Sequence, residues 1–388
     1  MEMGYVIYTI TFQSVTLIVM IAGTCKIIQV ITLKNEQKGM LNFLKYEMIL
    51  DSSFESVLLL GMGKTTSNQQ SGNLFTLDFK THLQILSIPP LPPRDNLLRF
   101  HLHRSMIVCG SIGNDVDSFD CLCYSWGATN IWITQDKTPR FNTKQAASQV
   151  LQYKDELNQT VTKLWVSGGA VTQSNQVTLV LSSTQSLLLE GLNNDGQIDC
   201  LAKNSNRRKS GKDMPRSLAD HCTLVVHGEN VFVTGGYTLE GFIVKNSYLY
   251  NSRNDSWQIL ADMRQARKQH ACTKFITTTG FEVAVVAGGE GDNQEGLLAS
   301  CEIFYLDTKI GQWARMHHLP IELTMPSMVS INNRLILSGG INDGIVQDAI
   351  WLYDEKSGWH FFNQRLHTAM YAHTNTLWTK EDFSNSQG

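Results

Sequence analysis

Three sets of residues in this chain are of types that do chemistry. The first is Gly63-Lys64-Thr65, inside the stretch LLLGMGKTTSN (58–68). Such an ending holds phosphate and magnesium in nucleotide-binding loops, but the loop needs a glycine five residues before the Gly-Lys pair so that backbone N–H groups can wrap the phosphates. Position 58 is Leu58, which argues against a phosphate cradle. The second set is His221, His270 and His373, readable as three ligands of one metal ion. The third is the eight cysteines, at 25, 109, 121, 123, 200, 222, 272 and 301. They form no Cys-x-x-Cys, and so no paired Cys-x-x-Cys and His-x-x-x-His set, which argues against a structural zinc site. No G-x-S-x-G elbow for a nucleophilic serine occurs, and no carboxylate pair is held at a recognisable spacing. The expectation is therefore no metal, no cofactor and no enzyme activity.

The elements that would position these residues come from a repeat. A short apolar strand ends in a glycine pair, followed by a polar loop, a strand carrying Tyr, a short turn and Trp. The clearest copies are NVFVTGGYTLEGFIVKNSYLYNSRNDSW (230–257), EVAVVAGGEGDNQEGLLASCEIFYLDTKIGQW (282–313) and RLILSGGINDGIVQDAIWLYDEKSGW (334–359). They carry the pairs Gly235-Gly236, Gly288-Gly289 and Gly339-Gly340, with Trp257, Trp313 and Trp359. Upstream, 163–189 keeps Gly168-Gly169 but has Leu where Trp would stand, 105–132 has Gly110-Ser111 with Trp132, and 56–86 has Gly61-Met62-Gly63. The apparent phosphate loop is thus the first, degenerate copy of a strand-ending turn. The second glycine positions recur at intervals of 48 to 67 residues, and the two longest intervals hold the extra segments 136–160 and 201–216.

These landmarks resemble the kelch family, over about residues 40 to 380. The resemblance implies an all-β fold, a six-bladed β-propeller of four-stranded blades around a channel. It also implies non-enzymatic binding of a protein or peptide through the loop face. Copper-radical oxidases and sialic-acid mutarotases use similar propellers, but no residue set transfers from either. The three histidines fall at equivalent places in three repeats, so packing or a hydrogen bond accounts for them better than a shared metal. The last, in LHTAMYAHTNTLW (366–378), is followed by no glycine pair; that strand is expected to pair with the first blade and close the ring, with MLNFLKYEMIL (40–50) as the rival.

Composition bounds the rest. The 388 residues are 42% hydrophobic and 17% charged, with net charge −3. That supports a sizeable core and no nucleic-acid partner. Tyr5 to Cys25 carries no charge. Residues 1–25 are read as a cleaved signal peptide or as an apolar segment packed on the domain, with an uncleaved anchor, hence a membrane contact, as a third reading. An extension (26–50), the propeller (51–380) and a tail (381–388) follow. Cys109 ends one strand of the second repeat, and Cys121 and Cys123 lie on the next. Alternation turns these two to the same side, so one of them, with Cys123 as the candidate, can bridge to Cys109; free buried thiols are the alternative. Two Asn-x-Ser/Thr sequons, at Asn158 and Asn254, fall in expected loops. The basic run RRKSGK (207–212) reads as a solvated loop. Secretion is the expected setting, with the cytoplasm as the alternative.

Function is then expected at the loops after the glycine pairs, which a propeller gathers on one face. They offer Asn114, Asp115, Thr172, Asn175, Thr238, Glu240, Glu290, Asp292, Asn342 and Asp343. Their balance is acidic, which points to a basic or amide-rich peptide. The other expected activity is a secreted, carbohydrate-active propeller that binds or isomerises a sugar.

Overall fold

The computed structural model describes residues 6–11, 14–21, 24–31, 56–61, 64–65, 74–78, 91, 95–103, 105–111, 120–125, 131–134, 143–172, 178–189, 192, 198–200, 208–292, 295–306, 311–331 and 334–379. The chain divides into two units, Met1–Phe54 and Glu55–Gly388. In the first, Val6–Thr11, Ser14–Ile21 and Thr24–Ile31 form an antiparallel three-stranded sheet. The uncharged N-terminal stretch is thus laid out as strands. No helix among the described residues is long and apolar enough to cross a membrane.

The second unit is an all-β propeller. Among the described residues it has five four-stranded blades, not the six expected. Blade one comprises Asp95–Leu102, Ser105–Ser111, Asp120–Ser125 and Ile133–Thr134. Blade two comprises Ala147–Lys154, Thr160–Ser167, Thr184–Leu188 and Arg208–Gly211. Blade three comprises Cys222–Val226, Asn230–Thr234, Ser247–Asn251 and Ser256–Ile259. Blade four comprises Ala271–Ile276, Glu282–Ala287, Cys301–Tyr305 and Trp313–Met316. Blade five comprises Ser327–Ile331, Arg334–Ser338, Ala349–Asp354 and Gly358–Arg365. A further sheet has three strands, in the order Thr374–Thr379, Ser56–Gly61 and Leu74–Asp78. Its first strand is the C-terminal one, antiparallel to Ser56–Gly61 with Thr374 opposite Gly61. The rival segment 40–50 lies outside the described residues, as does Gly63. Lys64, of the apparent phosphate loop, instead exchanges backbone hydrogen bonds with Tyr371 at 2.9 and 3.0 Å.

The first strand of each sheet packs against the first strand of the next, from blade one through to Thr374–Thr379. Arg99 of blade one donates a hydrogen bond to the Ala372 carbonyl at 2.7 Å, which joins the two ends of the series. Second strands are the most buried: Val231, Phe232 and Val233, Val283 to Ala287, and Leu335 to Leu337 are almost wholly enclosed. Neighbouring blades cover both of their faces, so these strands read as continuous apolar runs rather than as alternation.

Two features lock blade to blade. At Gly235 and Gly236 φ is 65° and 96°. A Cβ on them would lie 2.4 Å from the Arg267 carbonyl oxygen and 2.7 Å from that of Ala219. Glycine is required there both for conformation and for room. The Gly236 N–H then donates to the Arg267 carbonyl at 2.8 Å, in the turn that enters the next blade, and Gly169, Gly289 and Gly340 repeat that bond with Leu218, Leu323 and Met370. In blade one, Gly110 continues in the ladder opposite Asp120. The second feature is tryptophan. Trp257, Trp313 and Trp359 donate their indole N–H to the carbonyls of Lys212, Ala261 and His317, each just past the outer strand of the preceding blade. Trp132 packs at 5.3 Å against Tyr124.

Three sequence expectations need correction here. Residues 147–154, read as part of an insertion, are the innermost strand of blade two. Its polar, half-buried pattern hides it among loop residues. Residues 208–211 of the basic run form the outer strand of that blade rather than a loop. Finally, Cys109 is bonded to Cys121, not to Cys123. The ladder sets Cys109 directly opposite Cys121, with Cα atoms 4.0 Å apart, and Ile107 opposite Cys123. Cys123 pairs instead with Cys200 at the end of blade two's long excursion, and Cys222 with Cys272 between the innermost strands of blades three and four. Cys301 is a buried free thiol whose pKa burial pushes up to about 12.

Candidate functional site

The turns that enter the innermost strands build one end of the channel. Gln145, Asp220, Gln269, Met325 and Ala372 hold the same place in successive sheets, with φ between 48° and 57°. The left-handed region is costly for residues with a Cβ, by about 1–2 kcal/mol each, so the surroundings must impose it. Here a blade-to-blade chain of backbone bonds does so. The amide of Asp220 donates to Gln145, Gln269 to Asp220, Met325 to Gln269 and Ala372 to Met325, at 2.8 to 3.0 Å.

Side chains of the same positions form a second, parallel chain over part of the ring. The Tyr237 hydroxyl donates to Gln145 Oε1 at 2.8 Å. Asp220 Oδ2 accepts from Gln145 Nε2 at 3.0 Å and from Gln269 Nε2 at 2.7 Å. Thr324 Oγ1 donates to Gln269 Oε1 at 3.1 Å. Burial, helped by the Glu290 charge, raises the Asp220 carboxyl to about 6, against the pull of Gln269, Lys268 and Gln145. Lys268 stands 3.2 Å from the Glu290 carboxylate and 5.7 Å from the centre of the Tyr237 ring. On the other part of the ring, Met325 and Ala372 offer no hydrogen-bonding side chain.

Beyond the ring, the loops after the glycine pairs carry exposed apolar tips. Leu239 and Phe242 are 49% and 65% exposed in the turn of blade three, and Ile345 is 65% exposed in that of blade five. Of the residues expected to contact a partner, Glu240, Asp292 and Asp343 are exposed. Glu290 is tied to Lys268, and the Asn342 side chain donates to the Glu322 carbonyl at 2.8 Å. Thr238 is a correction: it is 3% exposed, because its backbone closes the turn with Gly241 and Phe242 and turns its side chain inward. Thr172 ends a short strand, Ala170–Thr172, and Asn114, Asp115 and Asn175 lie outside the described residues. Lys64, Lys144 and Lys268 take part through their backbones in the β-bridges beside the ring, and the Lys268–Glu290 pair cancels one of the acids expected there.

Sequence reading missed Gln145, Asp220 and Gln269. A signal was present for two of them, since Asp220 and Gln269 each immediately precede one of the singled-out histidines. Those histidines are buried on three different sheets. His221 Nε2 lies 2.8 Å from Ser167 Oγ, and His373 Nε2 lies 2.7 Å from Ser338 Oγ, both at the end of the preceding blade's second strand. Burial lowers His221 to about 4 and His373 to about 3, and takes His270 well below its ordinary value. All three are neutral at pH 7. His221 and His373 pin one blade to another by these bonds, while both ring nitrogens of His270 are buried without a hydrogen-bond partner among the described residues and its ring packs beside Gly235. In blade five, Pro326 stands where the histidine would be, and blade four's second strand ends in Ala287, which carries no hydroxyl. No group of three metal-ligating side chains occurs among the described residues.

No family model matches the chain. Kelch-like protein 40 of Xenopus tropicalis is 29% identical over 153 residues, covering 39% of this chain and 23% of that protein. Kelch-like protein 41b of Danio rerio is 27% identical over 158 residues, covering 38% and 24%. Beta-scruin of Limulus polyphemus is 28% identical over 131 residues, covering 33% and 14%. The chain therefore matches about a quarter or less of the length of these relatives. The solved structure of YjhT aligns with a TM-score of 0.55 at 14% identity, covering 81% of this chain and 98% of that one. At that identity the likeness concerns the fold alone.

Proposed function

We propose that this kelch-repeat propeller is a non-enzymatic module that binds a partner protein or peptide at the channel mouth. The observation that carries the reading is the ring itself. A rigid backbone chain presents amide, carboxylate and hydroxyl groups bonded to one another, bracketed by exposed Leu239, Phe242 and Ile345. Apolar anchors around a preorganised polar centre suit recognition, because little ordering remains to be done on binding. The outer acids Glu240, Asp292 and Asp343 favour basic or amide-bearing residues at the rim of the partner. The neutralised Lys268–Glu290 pair beside the ring favours a polar, uncharged centre. Three disulfides support an oxidising compartment, so the partner is met in the secretory route or outside the cell.

The test is selection of a displayed random peptide library on the full-length, oxidised chain, followed by titration of the enriched peptides. Phe242→Ala, and separately Asp292→Lys, are expected to weaken binding by about tenfold each without lowering the unfolding temperature. Absence of enrichment, or peptides that bind both variants as well as the parent, would overturn the proposal.

A further inference from the structure

The two sequons, Asn158-Gln159-Thr160 and Asn254-Asp255-Ser256, occupy related places in the fold. Strands of an antiparallel blade run up and down in turn, so successive turns alternate between the two faces of the propeller. The first-to-second and third-to-fourth turns share one face. The second-to-third turns lie on the other, with the channel mouth. Asn158 is in the first-to-second turn of blade two, between Ala147–Lys154 and Thr160–Ser167. Asn254 is in the third-to-fourth turn of blade three, between Ser247–Asn251 and Ser256–Ile259. The two asparagines therefore stand on the same face, in neighbouring blades, away from the mouth.

Contacts bring them together. Arg253, next to Asn254, donates to the Lys154 carbonyl and lies 5.0 Å from the centre of the Tyr153 ring. Blades four and five repeat this junction: Thr278 donates its amide and hydroxyl to Glu355 at 2.5 and 2.8 Å. Both turns are held from within. Asp155 accepts from the amides of Leu157 and Gln159 at 3.0 and 2.7 Å, and Asn251 accepts from those of Arg253 and Asn254, both at 3.0 Å. Both sequon asparagines are exposed, and neither side-chain amide bonds to a described residue. The disulfides supply the second, independent observation. Bonds such as Cys222–Cys272, between two blades, form where oxidation is permitted, which is also the route on which asparagine is glycosylated.

We infer that Asn158 and Asn254 are N-glycosylated and form a paired sugar patch on the face opposite the channel mouth. In the transfer, the side-chain amide nitrogen bonds to the anomeric carbon of an oligosaccharide carried on a lipid pyrophosphate. The bond from that carbon to the pyrophosphate breaks, the lipid pyrophosphate leaves with the electron pair, and the amide gives up one proton. The patch covers Leu157, which is 77% exposed beside Asn158, and leaves the mouth open. This inference is independent of what the mouth binds.

The experiment expresses the full chain in animal cells from its own N-terminus and recovers it from cells and medium. Release of N-glycans by peptide amidase in heavy-oxygen water converts each modified asparagine to a labelled aspartate, read by peptide mass. Label is expected at both 158 and 254, in a chain whose Cys222–Cys272 bond is formed. Thr160→Val and Ser256→Ala retain both asparagines and are each expected to abolish label at their own site only. An oxidised chain with both sites unlabelled, label at one site alone, or a reduced chain retained in the cytosol each overturns the inference.

Discussion

Blades one and two are clasped by sulfur, whereas blade four is anchored to blade three by hydrogen bonds and a buried ion pair beside the single Cys222–Cys272 bond. In the first region Cys109, Cys121, Cys123 and Cys200 sit in one cluster with Leu98, Phe100, Ile107 and Leu164. In the second, Arg267 is wholly buried. It bonds Glu302 at 2.7 Å and the Gly288 and Ser300 carbonyls at 2.8 and 3.0 Å, while Glu302 also accepts the Arg264 amide at 2.7 Å. Its own carbonyl takes the Gly236 amide of the blade before. One residue thus joins two blades, as Cys123–Cys200 does covalently. The two solutions act on different states. A disulfide chiefly restricts the unfolded chain, while a buried ion pair contributes only when every partner is in place.

Breaking the ion pair is the severest test of that contrast. Arg267→Ala leaves the Glu302 charge buried and unpaired, and is expected to cost about 3–5 kcal/mol in urea unfolding. A loss below about 1 kcal/mol would show that the second region does not depend on it. On the sulfur side, Cys123→Ser with Cys200→Ser opens a link that spans 77 residues and is expected to cost about 2–4 kcal/mol. The same change at Cys109 and Cys121, 12 residues apart, should cost less, and equal losses would contradict an unfolded-state origin. The smallest effect is in pH. His221, lowered to about 4, stays neutral when folded but takes up a proton below about 6.5 when unfolded. Stability should therefore fall as pH drops from 6.5 towards 4, by about 2 kcal/mol per such histidine at pH 5. Asp220, raised to about 6, opposes this, since its folded form binds a proton first. Unfolding curves at pH 7 and 5 on the parent and His221→Asn measure the difference, which should shrink in the variant.

Much of the scaffold was legible because a few positions tolerate few residue types. The pairs at 168–169, 235–236, 288–289 and 339–340 must be glycine, so they recur in the sequence. Trp257, Trp313 and Trp359 recur because an indole both fills the blade and reaches a carbonyl. The ring at the mouth was not legible in the same way. Its positions are fixed by backbone bonds, so Gln, Asp, Met and Ala all serve, and no side-chain signature repeats. Blade two was obscured for a related reason: Trp165, on its second strand, packs 5.5 Å from Tyr250 and 6.4 Å from Trp257, so the aromatic filling came from a strand where the repeat leads one to expect none. The cysteine partners depended on register, which alternation alone does not set.

The pairing of Thr374–Thr379 with Ser56–Gly61 also fixes an order of events on the ribosome. Leu58 and its neighbours emerge early and must wait for almost the whole chain to be made before their partner strand exists. Until then they present a bare, apolar β-edge to anything nearby. A premature stop anywhere before codon 374 therefore does more than shorten the product: it removes the cover from a sticky edge, and the expected fate of such a product is aggregation or disposal rather than partial activity.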